Sequence, residues 1–415
     1  MQYSQRLLLS ILLCFTLFQC SNNSTSERPE YIRILDDIPQ DIQEVKNLTI
    51  LPGDAKPTHS IELIPEQTFG KSGEPYLTQV LECAIDDKGK VIITNGRKNS
   101  NEFPFLYRVY AYNADGSYHT QIGATGKGPG EYGMILGVQA VAGKVFVLDY
   151  TSQRLNIYNT DDYSFERSIL IERLNIRDHE AVQDLEFGYF KVRSDGNFLI
   201  MFKEPNSGTD RPVYTYLLMD VHGNALDFAP LVFPSNLNAM KSNSRVPNAF
   251  RPLPFMGETI TALSDENAIY SVWTQDFLIK KYDARGNYQS AIYYPVTGSS
   301  FDLSEYTEQS SYTRGDVMNT LEIVDEKLPE SNPAIADMKI DDENRIWVAV
   351  PTGVQSEIYE WWILKESGEL LAKLRLARDQ PIYDIKNGYL YSKKTNKETG
   401  TEYAVKYRIE LAKNN

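Results

Sequence analysis

Cysteine and histidine are scarce in this chain, which has three cysteines and four histidines in 415 residues. Cys14 lies in an apolar leader and Cys20 follows that leader directly, so Cys83 alone remains for a folded body. A single cysteine cannot form an intramolecular disulfide, and in an alternating apolar segment it is expected to be a small buried hydrophobe. The fold therefore depends on its hydrophobic core, for which a hydrophobic content of 42% is sufficient.

Basic residues are outnumbered by acidic ones, 42 to 56, which gives a formal net charge of −14. Nucleic-acid binding needs clustered lysine and arginine against the phosphates, so we expect no nucleic-acid partner. Common catalytic motifs are missing as well. There is no Gly-x-Ser-x-Gly elbow, and Lys127 is followed by Gly128 and Pro129 instead of the Ser or Thr of a phosphate loop. We predict no catalytic residue, no metal ligand set and no cofactor.

The longest apolar run, residues 7–18, follows Arg6 and is too short to span a bilayer comfortably. A short basic start and an apolar run of this length are typical of a signal peptide, which we assign to residues 1–19. The run ends in Leu-Phe-Gln-Cys and resembles a bacterial lipoprotein signal, in which the cysteine, here Cys20, is acylated, with palmitate among the attached chains. The alternative is an ordinary secretory signal with an incidental cysteine.

Aromatic residues are abundant, with 27 Tyr and 17 Phe, and they favour β-strands. A pattern of strand, short Asp/Asn/Gly turn, strand, loop, strand, Gly turn and strand recurs along the chain. Repeated four-stranded antiparallel units are typical of β-propeller blades, so we predict an all-β, six-bladed β-propeller of four-stranded antiparallel blades. The sixth unit lacks a strand, which residues 60–64 can supply, so that an N-terminal strand closes the ring. The six units lie at residues 81–118, 137–159, 190–224, 260–287, 337–370 and 382–411.

A glycine-rich stretch separates the first two units and can be neither helix nor strand interior, because glycine supplies positive φ and proline removes a donor. We interpret it as a structural linker between blades. Its residues are Gly123, Gly126, Gly128, Pro129, Gly130, Glu131 and Tyr132.

Residues 147–158 resemble the core of an NHL repeat, with Asp149 after an apolar strand and Arg154 before the next. We interpret that pair as structural rather than catalytic. Together with the linker and the leader, the chain resembles the 6-bladed β-propeller lipoproteins of Bacteroides-type bacteria, which are TolB-like in fold. The resemblance covers roughly residues 60–411. It implies the architecture and a place in the cell envelope, and it implies no set of catalytic residues.

The predicted organisation is a signal peptide, a lipidated tether over residues 20–57 that is partly ordered over 31–50, and a propeller over 58–415. We expect an outer-membrane lipoprotein of the cell envelope, anchored in the membrane through its lipid. The first acidic residue after Cys20 is Glu27, whereas an early acidic run tends to mark surface export in lipoproteins of this kind. Two orientations therefore stay open: the protein faces the periplasm or is exposed on the surface.

Two segments, residues 233–257 and 297–333, do not follow the blade pattern. Long connections of this kind are commonly binding loops, and their Arg and aromatic content suits a contact surface. Family-variable decoration is the alternative. The candidate binding residues are Arg245, Phe250, Arg251, Phe255, Tyr306, Tyr312 and Arg314.

We expect a non-enzymatic binding or scaffold propeller whose partner is a glycan, a peptide or an outer-membrane protein. The alternative is a sugar or lactone hydrolase or lyase with a divalent metal near the central channel. That alternative requires inward carboxylates from at least three blades, whereas turn aspartates usually cap backbone amides. Strand alternation also places one of Trp361 and Trp362 inside and the other outside. The turn aspartates considered are Asp86, Asp195, Asp265 and Asp341.

Overall fold

A computed structural model describes residues 38–98, 105–204, 211–240, 250–310, 312–353 and 357–414. The predicted signal peptide, Cys20 and Arg245 lie outside these residues. The residues from Pro39 onward form one compact unit. It begins with a short helix, α1 (Gln40–Gln43), and two strands, β1 (Leu48–Ile50) and β2 (His59–Phe69). None of the helices in the described ranges has the length and hydrophobicity needed to cross a membrane.

Six sheets of four antiparallel strands, here called blades 1 to 6, follow in chain order. Blades 1 and 2, with a two-stranded parallel pair between them, contain β3 (Gln79–Ile85), β4 (Val91–Lys98), β5 (Phe105–Tyr112), β6 (Tyr118–Ile122), β7 (Ala124–Thr125), β8 (Glu131–Tyr132), β9 (Ile135–Val141), β10 (Lys144–Asp149), β11 (Arg154–Asn159) and β12 (Phe165–Leu170). Blades 3 and 4, with a short hairpin between them, contain β13 (Glu186–Val192), β14 (Phe198–Lys203), β15 (Val213–Met219), β16 (Leu231–Pro234), β17 (Asn238–Met240), β18 (Phe250–Pro252), β19 (Thr259–Leu263), β20 (Ile269–Trp273), β21 (Leu278–Tyr282) and β22 (Tyr288–Tyr293).

Helices α2 (Leu303–Gln309) and α3 (Arg314–Ile323) precede the last two blades. Blade 5 contains β23 (Asp337–Ile340), β24 (Ile346–Pro351), β25 (Ile358–Leu364) and β26 (Leu370–Ala377). Blade 6 contains β27 (Asp384–Lys386), β28 (Tyr389–Thr395) and β29 (Glu402–Lys413), and β2 pairs antiparallel with β29 as its fourth strand. The predicted six-bladed propeller and its closure by an N-terminal strand are confirmed.

Strand β1 lies within the segment assigned to the tether. It pairs in parallel with β22 and extends blade 4 to five strands. Leu48 is opposite Ala291 and Ile50 is opposite Tyr293. The chain is therefore attached to the ring about ten residues before the closing strand begins.

Both faces of each blade pack against neighbouring blades, so hydrophobic residues are buried on both sides of a strand. Trp361 packs with blade 6 residues such as Leu390, while Trp362 packs with blade 4 residues such as Phe277. Their exposed fractions are 2% and 4%. The expectation that one of the two tryptophans is outside is therefore wrong, because it assumes a sheet with one solvated face. Cys83 is buried and free, as expected.

The glycine-rich linker is fixed by side chains of blade 2. Arg154 Nη2 donates to the carbonyl oxygen of Glu131 at 2.6 Å, and Asp149 accepts from the backbone N–H of Gly133 at 3.1 Å. Asp149 and Arg154 are direct cross-strand partners of β10 and β11. These hydrogen bonds attach the linker to blade 2.

The two irregular segments fold together into a small core of their own beside blades 4 and 5. Thr313 caps helix α3 through a capping box with Asp316, which fixes the start of that helix. The core, here called the insertion core, consists of Leu237, Ala239, Leu253, Phe255, Met256, Leu303, Tyr312, Val317 and Leu321.

Candidate functional site

The first strands of the blades surround the central axis of the ring. They are β3, β9, β13, β19, β23 and β27, and most neighbouring pairs contact each other. The turn that follows each of these strands lies at one end of the channel. A cavity of about 410 Å³ opens there, and all six blades contribute to its walls. This cavity is here called the channel mouth.

The floor of the channel mouth is apolar. Near its end, each first strand has one apolar residue at an equivalent position. This residue pairs with the first or the second residue of the next strand. Leu263, for example, pairs with Ile269, and Ile340 pairs with Ile346. The six residues of this floor, one from each blade, are Ile85, Ala140, Val192, Leu263, Ile340 and Ile385.

The rim of the channel mouth is acidic. In blades 1, 4 and 5 the second residue of the turn lines the cavity, and in each case it is an aspartate: Asp87, Asp265 and Asp342. Asp384 of blade 6 lines the same cavity at a deeper level, one residue before the floor residue Ile385 on β27. Arg193 and Lys386 are the cationic residues of this lining. Carboxylates from four blades thus converge on one end of the channel.

Only one of the four turn aspartates considered from the sequence, Asp265, lies in this rim. Asp86 and Asp341 occupy the first turn position, are buried, and accept backbone N–H groups of their own turns. Asp195 accepts from Asn197 and pairs with Arg193 at 2.7 Å. These three aspartates cap backbone N–H groups of their own turns, which is the usual role of an aspartate in a turn. The Asp-Asp doublets of blades 1 and 5 are the sequence signal that reveals the rim residues.

The carboxylates of the channel mouth differ in their hydrogen-bond and ion-pair partners. Asp87 accepts from Lys386 Nζ at 3.3 Å and from the backbone N–H of Gly143 at 3.0 Å. Asp342 Oδ2 accepts from the backbone N–H of Asn387 at 2.6 Å. Burial raises the pKa of Asp384 to about 6, and Asp265 and Asp342 contribute to that rise. Asp265 itself has an exposed side chain. The channel mouth therefore retains net negative charge on the side formed by blades 4, 5 and 6.

Further charged groups lie deeper in the channel. Glu82 accepts from the backbone N–H of Val138 at 2.6 Å, and burial raises its pKa to about 7. Burial, together with the nearby ammonium of Lys339, lowers the pKa of Lys191 to about 8. These residues come from blades 1, 3 and 5, which are not adjacent in the ring. They influence each other across the channel.

The described residues contain no group of three or more His, Cys, Asp or Glu side chains close enough to hold a metal ion. The three rim carboxylates and the deeper Asp384 are spread around the mouth instead of being gathered at one point. The convergence that the hydrolase hypothesis requires is present, and a ligand set for its metal is not found within the described ranges.

A second cavity, of about 310 Å³, lies at the opposite end of the first strands, where blades 4 and 5 meet the insertion core. Two of the predicted binding residues, Phe255 and Tyr306, line it. It is here called the insertion cavity. Its remaining lining residues include Glu258, Asn332, Tyr359 and Arg378, which the sequence did not single out.

The other predicted binding residues have different positions. Phe255 and Tyr312 belong to the insertion core and are 3% and 6% exposed, so the expectation of an exposed aromatic patch is wrong for both. Packing between the two segments removes these rings from solvent. Arg314 is exposed at the start of α3. Phe250 and Arg251 belong to β18, and Arg245 lies outside the described residues.

The fold and its central cavity define the class as a six-bladed β-propeller. Residues 83–203 match a protein-family model described as 6-bladed beta-propeller. Among curated proteins, no sequence matches this chain.

Three solved structures are similar to this chain over most of its length. A candidate exported protein of Bacteroides fragilis is similar at 11% identity and a TM-score of 0.49, covering 88% of this chain and 99% of its own. A DUF4221 family member of Bacteroides vulgatus is similar at 10% identity and a TM-score of 0.48, covering 86% and 100%. An aldose sugar dehydrogenase of Streptomyces coelicolor, solved with bound PQQ, is similar at 9% identity and a TM-score of 0.42, covering 86% and 100%.

Proposed function

We propose that this protein is a non-enzymatic binding propeller of the cell envelope that holds the cationic group of an organic ligand at the channel mouth. The observation that carries this proposal is that the aspartates of the rim and the apolar residues of the floor line one cavity. An amine or guanidinium ligand with a short alkyl chain matches both parts, since its charge meets the carboxylates and its chain covers the apolar residues.

Size and charge support this assignment. A cavity of about 410 Å³ lies within the range of roughly 300–1,000 Å³ that is usual for small-ligand sites. Each hydrogen bond between a charged donor and a carboxylate contributes about 1.5–3 kcal/mol. The exposed Asp265 is the rim carboxylate that a ligand reaches first, and its side chain is available for such a bond.

The ligand group has two natural sources. It is either a free small amine or the lysine or arginine side chain of a peptide or an envelope protein. We further propose that the lipid on Cys20 and the tether hold the propeller at the outer membrane. A protein partner, or a glycan that carries an amine, can reach it there.

The test uses isothermal titration calorimetry on the mature chain with agmatine and n-butylamine, and with butan-1-ol as the uncharged probe. We expect the two cations to bind and the alcohol not to bind. Asp265→Asn is expected to weaken binding roughly tenfold or more. Glu266→Gln is the matched control, because Glu266 is the exposed neighbour of Asp265 and does not line the cavity. No binding of either cation, or equal binding by Asp265→Asn, contradicts the proposal.

Cross-linking in the native envelope separates the two sources. Capture of one dominant envelope protein, lost in Cys20→Ala and in Asp265→Asn, identifies a protein-borne cation. Binding of agmatine without such a partner identifies a small amine.

The hydrolase or lyase remains the second candidate, since carboxylates from four blades meet at the channel mouth. It predicts that calcium or another divalent ion binds at the rim and competes with agmatine. Calorimetry with calcium chloride decides this point, because the binding proposal predicts no calcium binding in the absence of a compact ligand set.

A further inference from the structure

Aromatic rings and prolines form the apolar part of the insertion cavity. Phe255 stacks on Phe301 with ring centroids 4.4 Å apart and makes a T-shaped contact with Tyr306, with ring centroids 4.7 Å apart. Prolines 254, 333 and 351 supply rigid apolar surface. The position of Tyr306 is thus fixed by the insertion core before any ligand arrives.

Arg378 and Tyr359 also line the cavity, and Arg378 supplies a planar guanidinium. The guanidinium carbon of Arg378 lies 4.9 Å from the centre of the Tyr359 ring, and Arg378 Nη2 donates to the carbonyl oxygen of Gly353 at 2.8 Å. These two contacts hold the guanidinium in place. A held guanidinium loses little conformational entropy when it donates to a ligand.

The remaining polar groups are mixed in type and balanced in charge. Glu258 and Arg378 contribute one charge of each sign, and Ser299 and Asn332 contribute a hydroxyl and an amide. Asn332 is held by donating to the carbonyl oxygen of Ser300 at 3.1 Å. A cavity of this kind offers donors and acceptors without a net charge that selects an ion.

This combination matches the two sides of a sugar ring. The C–H face of a pyranose packs on aromatic and proline surface, and its hydroxyl groups, each both donor and acceptor, pair with carboxylate, amide and guanidinium groups. A purely aromatic ligand leaves the polar groups of the cavity unpaired, which costs affinity. The volume of about 310 Å³ suits a small ligand.

We infer that the insertion cavity is a second binding site, separate from the channel mouth, and that it takes a pyranose sugar unit. Tyr306 and the three prolines supply the apolar surface, and Arg378, held over the Tyr359 ring, supplies donors to ring hydroxyl groups. This site does not depend on the cation proposed for the channel mouth, because the two cavities have no lining residue in common.

Saturation-transfer-difference NMR on the full mature chain tests this inference with methyl glycosides of glucose, galactose and mannose, N-acetylglucosamine and glucuronic acid, and with benzoate as an aromatic probe. We expect at least one pyranose to bind saturably. Binding is expected to be lost in Tyr306→Ala and in Arg378→Met. Arg375→Met is the matched control, since Arg375 lies on β26 three residues earlier and its side chain is 68% exposed.

Tyr306→Ala removes a ring that packs on the insertion core, so its fold is checked separately by agmatine binding and by circular dichroism. Asp265→Asn is expected to bind the sugar normally. The inference is overturned if no pyranose binds, if benzoate alone binds, or if sugar binding survives in both Tyr306→Ala and Arg378→Met.

Discussion

Lys386 of blade 6 and Asp87 of blade 1 form an ion pair of 3.3 Å across the seam where the ring closes. The other oxygen of Asp87 accepts from the backbone of blade 2, so this one carboxylate joins three blades at the channel mouth. The pair neutralises one of the three rim carboxylates. Lys386 thereby limits the negative charge that the cavity presents to a ligand.

Replacement of this lysine is expected to strengthen cation binding. Lys386→Gln removes positive charge from the rim and removes an interaction that lowers the pKa of Asp384, so that pKa rises above about 6. At pH 8, which lies above the wild-type pKa of Asp384, we expect agmatine affinity to increase by a factor of about three to ten. Lys397→Gln, an exposed lysine in the turn of blade 6, is the control, and calorimetry measures both. A loss of agmatine affinity in Lys386→Gln contradicts the account.

The buried Glu82 predicts a pH dependence of stability. Its pKa in the folded protein, about 7, lies above its ordinary value of 4.5, so the folded state binds more protons than the unfolded state between these values. Stability therefore falls as pH rises from about 4.5 to 7 and is constant for this group above that window. Since one pKa unit corresponds to about 1.36 kcal/mol, the effect is roughly 1–3 kcal/mol after allowance for water in the channel.

Urea unfolding at pH 5 and pH 8 measures this effect. Glu82→Gln keeps an oxygen that accepts from Val138 and is expected to reduce the difference between the two pH values by roughly 1–3 kcal/mol. Glu62→Gln, an exposed residue of the closing strand, is expected to leave it unchanged. An identical pH difference in wild type and Glu82→Gln rules out the assignment.

Glu402 is expected to be a main support of ring closure. Its carboxylate accepts from the backbone N–H of Val80 at 2.7 Å and pairs with Lys393 at 2.9 Å, so it joins the last strand to the first blade. Glu402→Ala leaves a backbone donor and an ammonium without their acceptor and is expected to cost about 2–4 kcal/mol in the free energy of unfolding. Glu398→Ala in the nearby exposed turn is the control. Equal urea midpoints for the two variants are inconsistent with this role.

The glycine-rich linker gives a test by steric fit. Gly123 has a φ of 63°, and a Cβ there lies 2.6 Å from both the carbonyl oxygen of Gly130 and the hydroxyl of Tyr158. Gly89 has a φ of 75° and an open surrounding, so Gly89→Ala measures backbone strain alone. We expect Gly123→Ala to cost about 1–3 kcal/mol more than Gly89→Ala in thermal or urea unfolding. Equal costs mean that the linker is not closely packed.

The sequence identified the blades because each repeats the same short turn between its first two strands. Strands that lack alternation are harder to find: Leu231–Pro234 ends in a proline, and Phe165–Leu170 carries two charged residues. Strand β1 was also not foreseen, because a three-residue strand has too little pattern and its pairing with β22 is a long-range contact. Tertiary contacts decide such segments.

The site was only partly predictable for a related reason. Asp86 and Asp87 are adjacent and chemically identical, yet one caps the turn and the other lines the channel mouth. That distinction depends on the strand register, which sequence pattern leaves open. Phe255 and Tyr306 were found through their segments, whereas Tyr359 and Arg378 lie within and just after regular strands and carry no local signal.

A crystal structure of the mature chain with agmatine tests the central proposal most directly. The account predicts the ligand in the channel mouth, with its guanidinium or ammonium within hydrogen-bond distance of Asp265 and of either Asp342 or Asp384, and its alkyl chain over the apolar floor. Agmatine bound elsewhere, or a metal ion in the rim that excludes it, contradicts the account.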